Sequence, residues 1–183
     1  MSSSVNSVNK RPISTRKLVL LALMIALSMA LHVAESLLPW VLPMPGVKLG
    51  LANIITVICL YIFSRRAVAA IVLVRLVLVG LIIGSLFTPS FWISCGGAFA
   101  SFMVMALGRS VPGFSPVGVS LFGATAHNMG QLFVVSQLMN SQAVFYYLPW
   151  LLIWAIPMGL LTGFSAKTAI QALRNIGVND TIR

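Results

Sequence analysis

The sequence predicts an all-α integral membrane protein with six transmembrane helices and both termini cytoplasmic. Three observations carry that reading. First, 59% of the 183 residues are hydrophobic and only 8% are charged; mean hydropathy is +1.02. No soluble domain of this size has interior enough to hide so much apolar surface. Second, the apolar residues fall into six runs, parted by segments rich in proline, glycine, polar or basic residues. Third, the basic residues keep step with those runs. With the N-terminus inside, the cytoplasmic segments hold Lys10, Arg11, Arg16, Lys17, Arg65, Arg66, Arg109, Lys167, Arg174 and Arg183, and the outer loops hold Lys48 alone. That bias is the positive-inside pattern. It accounts for the net charge of +10, which therefore does not point to nucleic acid.

Residues 1–16 are polar, rich in Ser and Asn, and basic; they read as a disordered cytoplasmic tail. A cleaved signal peptide is the competing reading, but its apolar core is normally about 7–15 residues, shorter than the run here. The six-helix domain is placed at 17–170, with a basic tail over 171–183.

Span 1, Leu18–Leu38, is 21 residues long. At about 1.5 Å per residue it reaches across a bilayer core of about 30 Å. Its loop, PWVLPMPGVKLG, holds three prolines and two glycines but stays apolar. It is predicted to lie at the membrane surface or fold back over the bundle. Span 2, Leu49–Phe63, is short. Span 3, Ala67–Phe87, stops at Thr88-Pro89. Span 4 is Phe91–Leu107, and Pro112-Gly113 and Pro116 mark the turn behind it. Span 5 is Val117–Leu138. Span 6 is Val144–Ser165, where Pro149 and Pro157 are candidate kinks. Cys59 and Cys95 lie inside apolar runs and read as core thiols rather than a disulfide or a metal pair.

Span 1 has two unlike faces. Ala22, Ala26 and Ala30 recur every fourth residue and form a smooth stripe. Two readings stand: packing within the bundle, or a docking face for another protein. Ser28, His32 and Glu35 fall on the opposite side. Glu35 is one of only two carboxylates in the chain, and a carboxylate in an apolar span is a functional-site candidate by default. Arg75, eight residues into span 3, either snorkels toward the cytoplasm or faces the bundle. Gly80 and Gly84 after it have the small-x-x-x-small spacing of tight helix packing.

Span 5 is the most polar. Ser120, Ala124, His127, Asn128 and Gln131 share an arc of about 100° at helical spacing. Unpaired amides in hydrocarbon cost several kcal/mol each, so this face is predicted to look into the bundle. It is either an interhelical hydrogen-bond seam, with Ser120 a structural polar group like Arg75, or a ligand site. The ligand reading gathers His32, Glu35, Lys48, Asn53, His127, Asn128 and Gln131 into a site opening outward. A cation, a carboxylate, an imidazole and amides suit a small polar or zwitterionic molecule.

At PGVKLGLAN (residues 45–53) and GVSLFGATAHNMGQ (residues 118–131) the chain resembles the bacterial Gx transporter family, whose members are often labelled heptaprenyl diphosphate synthase component I. The likeness runs from about Leu18 to Ser165 and takes in Glu35, Arg75 and Gly96-Gly97. It implies a six-helix fold similar to the S components of energy-coupling factor transporters, in the cytoplasmic (inner) membrane of a bacterium. In that fold an alanine-rich first helix docks on a membrane coupling subunit driven by two cytoplasmic ATPases. Ala22, Ala26 and Ala30 match the docking pattern.

The synthase label is tested by the same residues. Prenyl diphosphate synthases hold magnesium and diphosphate with aspartate-rich motifs, and Mg²⁺ wants carboxylate oxygens. Glu35 and Asp180 are the only carboxylates here. No glycine-rich phosphate loop, nucleophile–base pair or zinc spacing is present. The chain is therefore expected not to catalyse the reaction alone and to need no cofactor or metal. Its expected partners are the lipid bilayer, a small-molecule substrate and energising subunits. A non-catalytic membrane subunit of an isoprenoid enzyme is the alternative.

Overall fold

The computed structural model describes residues 15–36 and 50–176. Within them the secondary structure is all helical: α1 (Thr15–Ser36), α2 (Leu51–Ile62), α3 (Arg65–Ile82), α4 (Pro89–Gly108), α5 (Pro116–Leu138), a 3₁₀ segment (Gln142–Tyr147) and α6 (Leu148–Asn175). Among the described residues, three stretches are long and apolar enough to cross a membrane: Thr15–Ser36, Pro89–Gly108 and Gln142–Asn175. The loop expected at the membrane surface lies outside the described residues.

Local chemistry sets the helix ends. Pro116 opens α5, where a missing N–H costs nothing. Ser115 caps the helix by accepting from the Gly118 N–H at 3.2 Å. Pro149 stands in the first turn of α6, so it starts that helix rather than kinking it. Pro157 lies inside it. α6 runs to Asn175, well past the expected end at Ser165.

Span 3 departs from expectation at its far end. The helix stops at Ile82, and Gly84 takes φ 69°. Ser85 N–H then reaches back to the Gly80 carbonyl at 2.8 Å, the bond pattern of a glycine-terminated helix. Gly84 is thus a cap and not a packing residue: a Cβ there would meet nothing within 4 Å. Gly80 does make room, for Leu86 and Phe91 of the returning chain.

α2 is the centre of the bundle. It is only 12 residues long, about 18 Å, yet it packs against α1, α3, α4, α5 and α6. Ile55 to Leu60 are all buried. All but Thr56 join Val68, Ile71 and Val72 of α3, Phe102 and Met105 of α4, Val119 of α5, and Ala166 and Ile170 of α6 in one core. The other strong contacts are α4 with α5 and α5 with α6. Glycines let these helices approach closely. A Cβ on Gly130 would lie 2.4 Å from the Gly96 carbonyl oxygen, and one on Gly163 would lie 2.7 Å from the Val117 Cα.

α1 packs on α2 and α3. Met24 and Ser28, one turn apart, are its buried residues. Ala22, Ala26 and Ala30 are exposed. The alanine stripe therefore does not pack within the described bundle.

Candidate functional site

Arg75 turns into the bundle and is 2% exposed; it does not snorkel. Its Nη1 donates to Ser28 Oγ at 3.2 Å. The charge of Glu35 also acts on it. Glu35 itself takes a structural contact: its Oε1 accepts from the Gly50 N–H at 2.6 Å. Gly50, at φ 73°, precedes α2. Glu35 thus satisfies the chain just before that helix, where backbone donors lack intrahelical partners.

Beside Gly50 a polar cleft opens between α2, α5 and α6. It is lined by Gly50 and Asn53; by Ser120, Ala124, His127 and Asn128 of α5; and by Trp154, Ala155, Met158 and Thr162 of α6. Its depth follows from the shortness of α2. A Cβ on Gly50 would lie 3.9 Å from Thr162 Cγ2, and Thr162 is about 21 Å along α6 from its start. α2 therefore begins level with the middle of α6. The cavity is small, about 20 Å³, room for about one water. A larger occupant requires the lining helices to part.

The polar groups of the cleft differ in what they already do. The Thr162 hydroxyl donates to the Met158 carbonyl at 2.9 Å. Its oxygen then accepts from Ser120 Oγ at 2.7 Å. Asn128 Nδ2 donates to the Leu151 carbonyl at 2.9 Å. Ser120 and Asn128 thus both stitch α5 to α6. Asn53 is half-buried on the cleft wall, and no hydrogen bond of its side chain is among those described.

Three of the seven expected ligand residues, Asn53, His127 and Asn128, meet in this cleft. Ser120, expected to be structural, lines it as well. Gln131 is buried but turns toward α4: a Cβ on Gly97 would lie 2.7 Å from its Cγ and 2.9 Å from the His127 ring. His32 and Glu35 are half-buried on α1 and are not among the lining residues. Lys48 lies outside the described residues. The α6 wall was missed. Trp154, Met158 and Thr162 recur every fourth residue, and Gly159 and Gly163 mark the same close approach, so a wheel of α6 carried the signal.

These features define a class: a protein whose secondary structure is all helical among its described residues, with three apolar stretches of membrane length and a small cleft with polar groups between α2, α5 and α6. The chain belongs to the family described as heptaprenyl diphosphate synthase component I, whose family model matches residues 24–169. No curated protein and no solved structure matches it.

Proposed function

We propose that this chain is a membrane-embedded substrate-binding protein for uptake of a small polar molecule, energised by a separate coupling subunit and ATPases in the manner of an S component. In this reading all six helices cross a bacterial inner membrane and both termini are cytoplasmic. The observation that carries it is the cleft, where Asn53, His127 and Asn128 converge beneath apolar walls from Trp154 and Met158. A few placed polar groups on an apolar wall are how small-ligand sites are built. The outward-facing Ala22, Ala26 and Ala30 support a foreign helix as partner, because small residues let backbones approach closely.

A second reading starts from the family's description as component I of heptaprenyl diphosphate synthase: the chain is then a non-catalytic membrane subunit that partners the synthase. Affinity purification of the tagged full chain from native membranes in mild detergent separates the two. Stoichiometric recovery of two ATPases and a membrane subunit is expected. Recovery of a soluble prenyl synthase without ATPases would overturn the transport reading and establish the second.

A further inference from the structure

The far end of α2 holds a second arrangement, distant from the cleft. Tyr61 is half-buried there, and its hydroxyl donates to the Phe114 carbonyl at 3.3 Å. The Arg109 guanidinium lies over the Tyr61 ring, 4.5 Å from its centroid. Arg174, from the last turn of α6, stands close enough that its charge acts with that of Arg109 on the Tyr61 phenol. Arg65, the first residue of α3, donates from Nη2 to Ser110 Oγ. Ser110 is fixed in turn by donating to the Ala106 carbonyl at 2.9 Å. Three parts of the fold thus bring guanidinium groups to one end of the bundle, beside Tyr61 of α2.

Nothing among the described residues neutralises them. Glu35 is engaged at the start of α2, the opposite end of that helix, and Asp180 lies outside the described residues. All three arginines are exposed. Two are held in place, Arg109 by the aromatic face and Arg65 by the serine, while most of their N–H donors remain unused. A planar guanidinium with free edges pairs bidentately with phosphate oxygens. Ser64 makes no side-chain cap bond for α3, so backbone donors at that helix start add to the positive field. Beside the cations stand exposed apolar side chains: Leu107, Val111, Phe114 and Ile176. A free anion has no use for them; acyl chains do.

We propose that Arg65, Arg109 and Arg174 form a site for the phosphate headgroup of an anionic phospholipid. The headgroup lies across the guanidinium groups, and its acyl chains run along Leu107, Val111 and Phe114. Basic pockets between membrane helices hold anionic headgroups by the same charge complementarity. The proposal rests on the chain being a membrane protein and not on the transport reading.

The test uses the full chain in dodecyl maltoside micelles. Phosphatidylglycerol and phosphatidylcholine with matched acyl chains are titrated in, and bound lipid is counted by native mass spectrometry. Preferential retention of phosphatidylglycerol is expected. Arg65→Gln and Arg109→Gln should each weaken it about fivefold, and Arg109→Lys should weaken it less. Lys167→Gln, an exposed cation about 10 Å back along α6 from Arg174, should leave it unchanged. Equal retention of the two lipids would overturn the proposal, and so would equal losses in Arg109→Gln and Lys167→Gln. Displacement of phosphatidylglycerol by millimolar inorganic phosphate would assign the site to the free anion and overturn the lipid. Thermal unfolding of each variant without added lipid separates a lost site from a lost fold.

Discussion

Arg75 Nη1 donates to Ser28 Oγ across 3.2 Å, and the two side chains are 2% and 1% exposed. This bond joins α3 to α1 inside an apolar core. Arg75 Nε has no hydrogen-bond partner among the described residues, so the serine is a large part of what receives a buried cation. Ser28→Ala removes that acceptor and leaves another guanidinium donor unsatisfied, at a cost of about 1–3 kcal/mol. Its melting temperature in mild detergent should fall. Adding Arg75→Met should recover most of the loss, because removing both partners together is nearly neutral. An unchanged melting temperature for Ser28→Ala would refute the role given to the bond.

Ala26 is exposed on the stripe of α1. Ala26→Leu should therefore fold normally, with stability within about 0.5 kcal/mol of the parent. If a foreign helix docks there, the same variant should lose the co-purifying membrane subunit. Retention of that subunit at parental stoichiometry would remove the stripe from the interface.

The glycines of α4 and α5 make opposite predictions. Gly130→Ala puts a methyl 2.4 Å from the Gly96 carbonyl oxygen and 2.7 Å from the Ala100 Cβ. The helices must separate, at about 1–3 kcal/mol. Gly108→Ala meets only Val119 Cγ2, at an ordinary 3.7 Å. It should be neutral or raise stability by a few tenths of a kcal/mol up to about 1, the helical preference for Ala over Gly. Paired thermal unfolding measurements check both signs at once.

The cleft amides should separate stability from binding. Asn128→Ala breaks the bond to the Leu151 carbonyl and should cost about 1 kcal/mol of stability whether or not a ligand is present. Asn53→Ala gives up no described hydrogen bond and should leave the melting temperature alone while abolishing the thermal shift given by any substrate. A substrate shift that survives Asn53→Ala would move the site elsewhere.

Periodicity made much of this legible. Six apolar runs became six helices, because burial of an apolar face dictates helix placement more firmly than local propensity does. The polar face of α5 was visible for the same reason. What its wheel did not reveal was the division of that face. An arc of about 100° touches two neighbours when a helix lies between two others: α6 takes Asn128, and Gln131 turns to α4. The α6 wall was passed over because its signal is a stripe of Trp154, Met158 and Thr162 beside Gly159 and Gly163, mostly apolar and so unlike the polar face of α5. The end of α3 was misplaced because Gly84 fits both a packing motif and a cap, and only backbone geometry tells them apart.

The position of α2 bears on how such a chain is assembled. It precedes α3, α4 and α5 in the chain, yet part of its partner surface, Ala166 and Ile170, belongs to α6, which is made after them. Until α6 arrives, α2 has no finished neighbour on that side and Asn53 faces an incomplete wall. Early helices that wait for late ones leave polar and apolar surfaces open during synthesis, when aberrant pairing is easiest. A nascent chain halted before Leu148 would be a natural target for quality control, and this side of the bundle is sealed only when α6 is in place.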